Sequence, residues 1–397
     1  DDNTATGWCA LALNTTGAQN SANSNYALRS NTTGENNTAV GRSALQANTT
    51  GGYNVALGSN SLDANTTANN NAALGYNALT ANTTANDNAA VGAYALAANT
   101  TGTPNTAFGK SALEKNTTAA DNVAIGAFSL RCNITGVNNT AVGSSALNVN
   151  LGSHNTAVGR YALVSNTTGS QNNAFGRHTL DANTTASYNN AFGHGSLGLN
   201  TTGAENTAMG DGALASNTTA SNNVAVGGGA LYANTTGASN TAIGLGALDA
   251  NTTGGDNVAV GVAALGGNTT AVSNTAVGHR AMLGTTTGTR NAAVGRDAMC
   301  SLTTGVENTS IGYNALLTTT TGTNNTGIGH ESYAPAVDTS NSFTLGNGSV
   351  TNLRCNDTSI SSLSDLRDKE NIEDIPHGLD YILALRPVKF DWNRRDG

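Results

Sequence analysis

At 397 residues the chain has the length of two or three globular domains, but 48 glycines, 4 prolines and only 11% charged residues argue against that build. Apolar residues make up 38% and aromatics 5%, so any core is thin and made of small side chains. With a net charge of −8 and no basic cluster before Arg386, nucleic-acid binding has little electrostatic support, and no apolar run approaches membrane-spanning length.

The opening residues, Asp1 to Gly7, are polar and read as carrying no signal peptide, as at a fragment boundary. From there one pattern governs. The glycine of Asn37-Thr38-Ala39-Val40-Gly41 recurs at Gly58, Gly75, Gly92, Gly109, Gly126 and Gly143. It then falls one residue early, at Gly159, and resumes at every seventeenth position through Gly346. Gly7 fits the same frame, with Ser24 in the coil between. The short step coincides with Asn150-Leu151-Gly152 in place of Asn-Thr-Thr-Gly. The consensus is Asn-x-Ala-(apolar)-Gly-x-x-Ala-Leu-x-x-Asn-Thr-Thr-(Gly or Ala)-x-x.

A 17-residue repeat with glycine-marked corners is too short for a helix pair. It predicts an all-β chain, each repeat one β-solenoid coil of two short strands and two turns. About twenty coils stacked at about 4.8 Å make a rod of roughly 95 Å. Identical residues then lie above one another, so the Asn and Thr columns are expected to form ladders of side-chain hydrogen bonds. The position after Thr-Thr mixes Gly51 and Gly102 with Ala68, Ala85 and Ala119, which points to lack of space. The corner glycine shows no such mixing and is expected to need an unusual φ.

Along the strand, Thr38 and Val40 face one way while Asn37 and Ala39 face the other. The Ala39, Ala56, Ala73 and Ala90 column stays small and apolar, so both faces are expected to be covered. A coil this thin cannot cover both. The expected cover for the Ala39 column is identical neighbours around a three-fold axis, the alternative being a monomeric two-layer solenoid.

Variability marks the solvated turn: the pair after the corner is Arg42-Ser43, Tyr76-Asn77, Lys110-Ser111, His194-Gly195 or Asp211-Gly212. His194, His279 and His330 share this column but lie coils apart, so no metal and no cofactor is expected. Cys9, Cys132, Cys300 and Cys355 are several coils apart and read as free thiols, with disulfides between chains as the alternative. Glu35, Asp63, Asp87, Asp121 and Asp181 vary from coil to coil and offer no paired carboxylates for glycan hydrolysis. The adjacent Thr-Thr columns suit a flat ice-binding array poorly. The Asn-Thr-Thr triplets from Asn14 to Asn268 also match N-glycosylation acceptors.

The phrase Asn-x-Ala-Val-Gly-x-x-Ala-Leu resembles the left-handed β-roll coils of trimeric autotransporter adhesin heads. After Ala334-Pro335 the repeat decays, and Ser364-Asp365-Leu366-Arg367-Asp368-Lys369-Glu370-Asn371-Ile372 follows, then Leu385-Arg386-Pro387-Val388-Lys389-Phe390-Asp391-Trp392. That stretch resembles the start of the intramolecular chaperone domain behind phage tail fibres and endosialidase tail spikes, a domain that continues well beyond the position of Gly397. The resemblance implies a chaperone that trimerises the fibre and releases itself by cutting before Ser364, with Ser364 as nucleophile and Lys369 as base. The same spacing also suits a helix cap, with Ser364 or Asp365 at the N-cap.

The expected organisation is thus a repeat shaft over 1–335, a transition over 336–363 and the start of the chaperone domain over 364–397. The expected function is a structural fibre of a phage or virus tail, a homotrimeric, extracellular shaft for host attachment. Its only enzymatic act would be a single self-cleavage. Expected partners are a host-surface glycan or protein receptor and other tail proteins, with no nucleic acid and no membrane insertion. The alternatives are a bacterial trimeric surface adhesin head and a glycosylated extracellular fibril.

Overall fold

The computed structural model describes residues 2–352 and residue 354. Twenty-one strands, numbered β1 (Thr4–Thr6) to β21 (Phe343–Leu345), make one parallel sheet in which each coil supplies one strand and pairs with the next. Thr38 lies against Val55, Ala39 against Ala56 and Val40 against Leu57. This 17-residue offset breaks only between β9 (Thr140–Val142) and β10 (Thr156–Val158), where Thr140 pairs with Thr156 and the ladder absorbs the missing residue. Residues Asp1–Ser349 form one compact unit, and its last strand falls inside the 336–363 segment.

Among the described residues the expected second strand of each coil is absent. Residues 42–47 form a run of turns instead. Ser43 and Leu45 hold φ values of +60° and +50°, which no extended strand allows. This left-handed backbone accounts for a preference that β-propensity does not. The Leu45 column holds leucine or methionine from Leu11 to Leu316 and never valine or isoleucine, because branching at Cβ is strained at positive φ. In the Val40 column, where the backbone is a true strand, valine and isoleucine are free to appear.

The turn run folds Ala44 and Leu45 back behind the strand. Ala39, Ala44 and Leu45 are all fully buried and belong to one core cluster that runs the length of the shaft. The depth of that core is visible at Gly327, which replaces the alanine: a Cβ there would lie 2.7 Å from Leu316 Cγ. The Ala39 column is therefore small because leucine fills the space beside it, and it needs no neighbouring copy. This corrects the expectation from the sequence. The apolar column left outside is Val40, which is 40% exposed.

Two buried asparagine columns meet at one carbonyl. Asn37 and Asn48 each donate an Nδ2 hydrogen to the carbonyl of Gly51, at 2.8 and 2.9 Å. Asn48 also donates to Asn31 Oδ1 at 2.8 Å. Asn37 Oδ1 accepts from both the backbone N–H and the Nδ2 of Asn54, at 3.0 and 3.1 Å. Only a side chain with donor and acceptor on one small group satisfies this geometry, which is why aspartate does not substitute. A Cβ at Gly51 would meet the Ala68 carbonyl oxygen first and Asn48 Oδ1 at 2.5 Å, so the Gly/Ala mixture does reflect space.

The Asn48 column fails near the C-terminal end, where Thr285, Leu302 and Thr319 replace asparagine and the Thr285 and Thr319 hydroxyls are buried without partners. Thr285→Val is therefore expected to be neutral or to stabilise its coil by about 1 kcal/mol. One coil earlier, Asn268 donates to Asn251 Oδ1 and accepts from the Ala271 N–H. Asn268→Val leaves both unpaired and is expected to cost about 1–3 kcal/mol. Amide hydrogen exchange of the two coils reads the opposite signs, and faster exchange around Thr285→Val would refute the account.

Candidate functional site

The shaft presents two kinds of surface. On the outward face of the sheet, the Thr38 column is mostly half-buried, and from Val40 through Leu345 the Val40 column is valine, leucine, isoleucine, phenylalanine or methionine in every coil, with Thr6 and Asn23 in the two coils before it. Neither column holds a charged residue. Exposure of the larger members stays near that of Val40: Phe108 44%, Met209 45%, Ile311 46%. Phe175 and Phe192 stack along the ridge with centroids 4.8 Å apart. Strand register produces this continuity, since an identical position recurs directly above itself.

Past the corner the surface changes character. Gly41 holds φ +131°, the backbone a glycine column broken only by Ser24, itself at φ +120°, is expected to need. The next residues are exposed and chemically mixed. Here Arg160 lies over the Tyr161 ring, Arg131 pairs with Glu114 at 2.8 Å, and Tyr76 meets Tyr94 edge to face. The Glu114 carboxylate raises the Arg131 pKa by hydrogen bond and charge.

His194, His279 and His330 sit on this solvated turn. His194 meets Asp211 at 3.2 Å and His330 meets Asn347 at 3.3 Å. Among the described residues no three His, Cys, Asp or Glu side chains converge to hold a metal, and no helix is long and apolar enough to cross a membrane. Cys9, Cys132 and Cys300 are free and half-buried. Burial pushes the Cys300 thiol up, so it stays protonated at neutral pH and is a poor nucleophile. Cys355 lies outside the described residues.

The Asn-Thr-Thr triplets have a structural use. Asn48 is fully buried with its amide engaged on both sides, so a folded coil leaves no room for a sugar at that nitrogen. The Thr49 hydroxyl donates to the Thr66 carbonyl at 3.0 Å, while Thr50 faces solvent. The two hydroxyl columns thus do not form the flat array that ice binding needs. Of the varying acids, Asp63 accepts from Thr80 at 2.7 Å, and Glu35, Asp87 and Asp121 are exposed singly.

Ser364 and Lys369 lie outside the described residues. Residues 364–397 match a family model, Peptidase_S74, described as chaperone of endosialidase. No curated protein matches the chain. The chain therefore joins a parallel β-solenoid of about twenty coils to a C-terminal stretch similar to an intramolecular, self-cleaving chaperone. Sequence reasoning missed the outward direction of the Val40 column. It also passed over a run of glycines at Gly195, Gly212, Gly229 and Gly246, four successive coils in an otherwise mixed column.

Proposed function

We propose that the chain is the shaft of a phage or virus tail fibre, a homotrimer on the outside of the virion that serves host-surface attachment. The observation that carries this reading is the Val40 ridge, an uncharged apolar row that a lone shaft would leave in water from Val40 to Leu345. Two further copies around a three-fold axis cover it. The shaft then spaces a host receptor, a glycan or a protein, from the other tail proteins.

The C-terminal match supports the assembly half of the proposal. Coils are nearly interchangeable, so copies sliding by one coil would lose little contact. A segment that joins the copies at one end sets their register before the shafts zip together. By the family resemblance, Ser364 then acts as the nucleophile on the peptide bond before it and Lys369 takes its proton. Ser364→Ala in the full-length protein is expected to abolish the cut and keep the trimer, read by denaturing and native electrophoresis. Native-like cutting in that variant would remove Ser364 from the mechanism.

A further inference from the structure

The glycine run has no conformational cause. Gly195, Gly212 and Gly229 hold φ +64° and Gly246 +62°, yet Asn77, Tyr94 and Ser111 hold +53°, +61° and +54° at the same place in other coils. What the run removes is side chains. Gly228 extends the gap sideways, at a position where neighbouring coils carry His194, Asp211 and Leu245. The result is a depression of about 440 Å³ lined by His194, Asp211, Ala215 and Tyr232 over the glycine backbone. Its floor is open: a Cβ at Gly195 or Gly229 would meet nothing within 4 Å.

The walls differ in chemistry. On one side Tyr232, 54% exposed, lies beside Gly212, and outside the lining Leu245, 63% exposed, stands next to Gly228. On the other, His194 Nδ1 and Asp211 Oδ1 are 3.2 Å apart with both side chains largely in water. No lysine or arginine lines the depression. An aromatic face, a carboxylate and an imidazole around a bare floor suit a pyranose ring, whose C–H face packs on Tyr232 while its hydroxyls bond Asp211 and His194. The Asp211 carboxylate, with no cation beside it among the lining residues, disfavours acidic sugars. We infer that coils 193–249 carry a binding site for a neutral saccharide. The surrounding turn column mixes arginine, lysine, aspartate and histidine, which fits solvent rather than a packed neighbour, so the site stays open in the proposed trimer.

The inference deepens the attachment reading and rests on it for its biology. Maltotriose, cellotriose, chitotriose and galactobiose, titrated by saturation-transfer NMR, test it. At least one is expected to bind with a millimolar Kd. Gly229→Asn fills the floor with a residue that Asn77 shows the backbone accepts, and Tyr232→Ala removes the platform. Each is expected to weaken binding about tenfold, with thermal melting unchanged. No binding of any probe, or binding indifferent to both variants, overturns the site. Adsorption of the purified fibre to bacterial cells is read in parallel. A native fibre that adsorbs to cells but binds none of the probes sinks the site alone. Saccharide binding lost in both variants, in a native fibre that adsorbs to no cell, sinks the attachment reading alone.

Discussion

Gly244→Ala is expected to split the shaft into two separately folded stretches. Gly244 holds φ +137°, and a Cβ there would lie 2.6 Å from the carbonyl carbon of Gly261, with that residue's oxygen in contact as well. Backbone stands on the far side of the clash, so no rotamer relieves it. Strained φ and overpacking together cost about 4 kcal/mol. In a stack where each coil touches only its neighbours, that loss falls on one interface and does not spread. Limited proteolysis should therefore nick the variant near residue 244 and leave two resistant fragments. Gly195→Ala is the control: it has φ +64° with open space around it, and should cost about 1 kcal/mol. Equal protease resistance in Gly244→Ala and the native shaft would contradict the corner argument.

A triple change, Val226→Glu with Ile243→Glu and Val260→Glu, is expected to turn the trimer into a monomer with its β-sheet signal intact. The three residues are adjacent on the ridge, paired Val226 to Ile243 and Ile243 to Val260. On a single chain they lie on the outer face, Ile243 41% exposed and Val226 and Val260 half-buried, so glutamate costs the coil little. Around a three-fold axis the same change brings nine carboxylates (three per copy) into a water-poor interface. Uncompensated charge there costs several kcal/mol. Val262→Glu, on the solvated turn and 45% exposed, should leave assembly unchanged. Sedimentation equilibrium reads the outcome. The native protein should weigh about three times its 39.7 kDa chain, less any released C-terminal segment. A native mass of one chain, or a triple variant that keeps the native mass, would defeat the trimer.

Much of this was open to reading in the repeat itself. Comparing the chain with its own copies separates positions that must stay constant from those that need not. The corner glycine, replaced only at Ser24, implied a special backbone, and Gly41 has one. The Gly/Ala mixture at Gly51 implied crowding, and the Ala68 carbonyl and the Asn48 amide supply it. The asparagine column that runs unbroken from Asn37 to Asn325 implied a ladder, and Asn20, Asn37 and Asn54 form one. The Ser364 and Lys369 motif was legible too, but only as a motif, since those residues lie outside the described structure.

Direction is what the repeat could not encode. Ala39 and Val40 are both apolar, and alternation along a strand says that they part, not which of them goes inward. That was decided by the turn run, whose left-handed Leu45 folds behind the strand and fills the space beside Ala39. The clue was present in a leucine column that admits methionine but never valine, yet it is interpretable only once the sign of φ is known. The depression among the glycines is of the same kind. A missing side chain becomes a surface feature only when the coils above and below are in place to wall it.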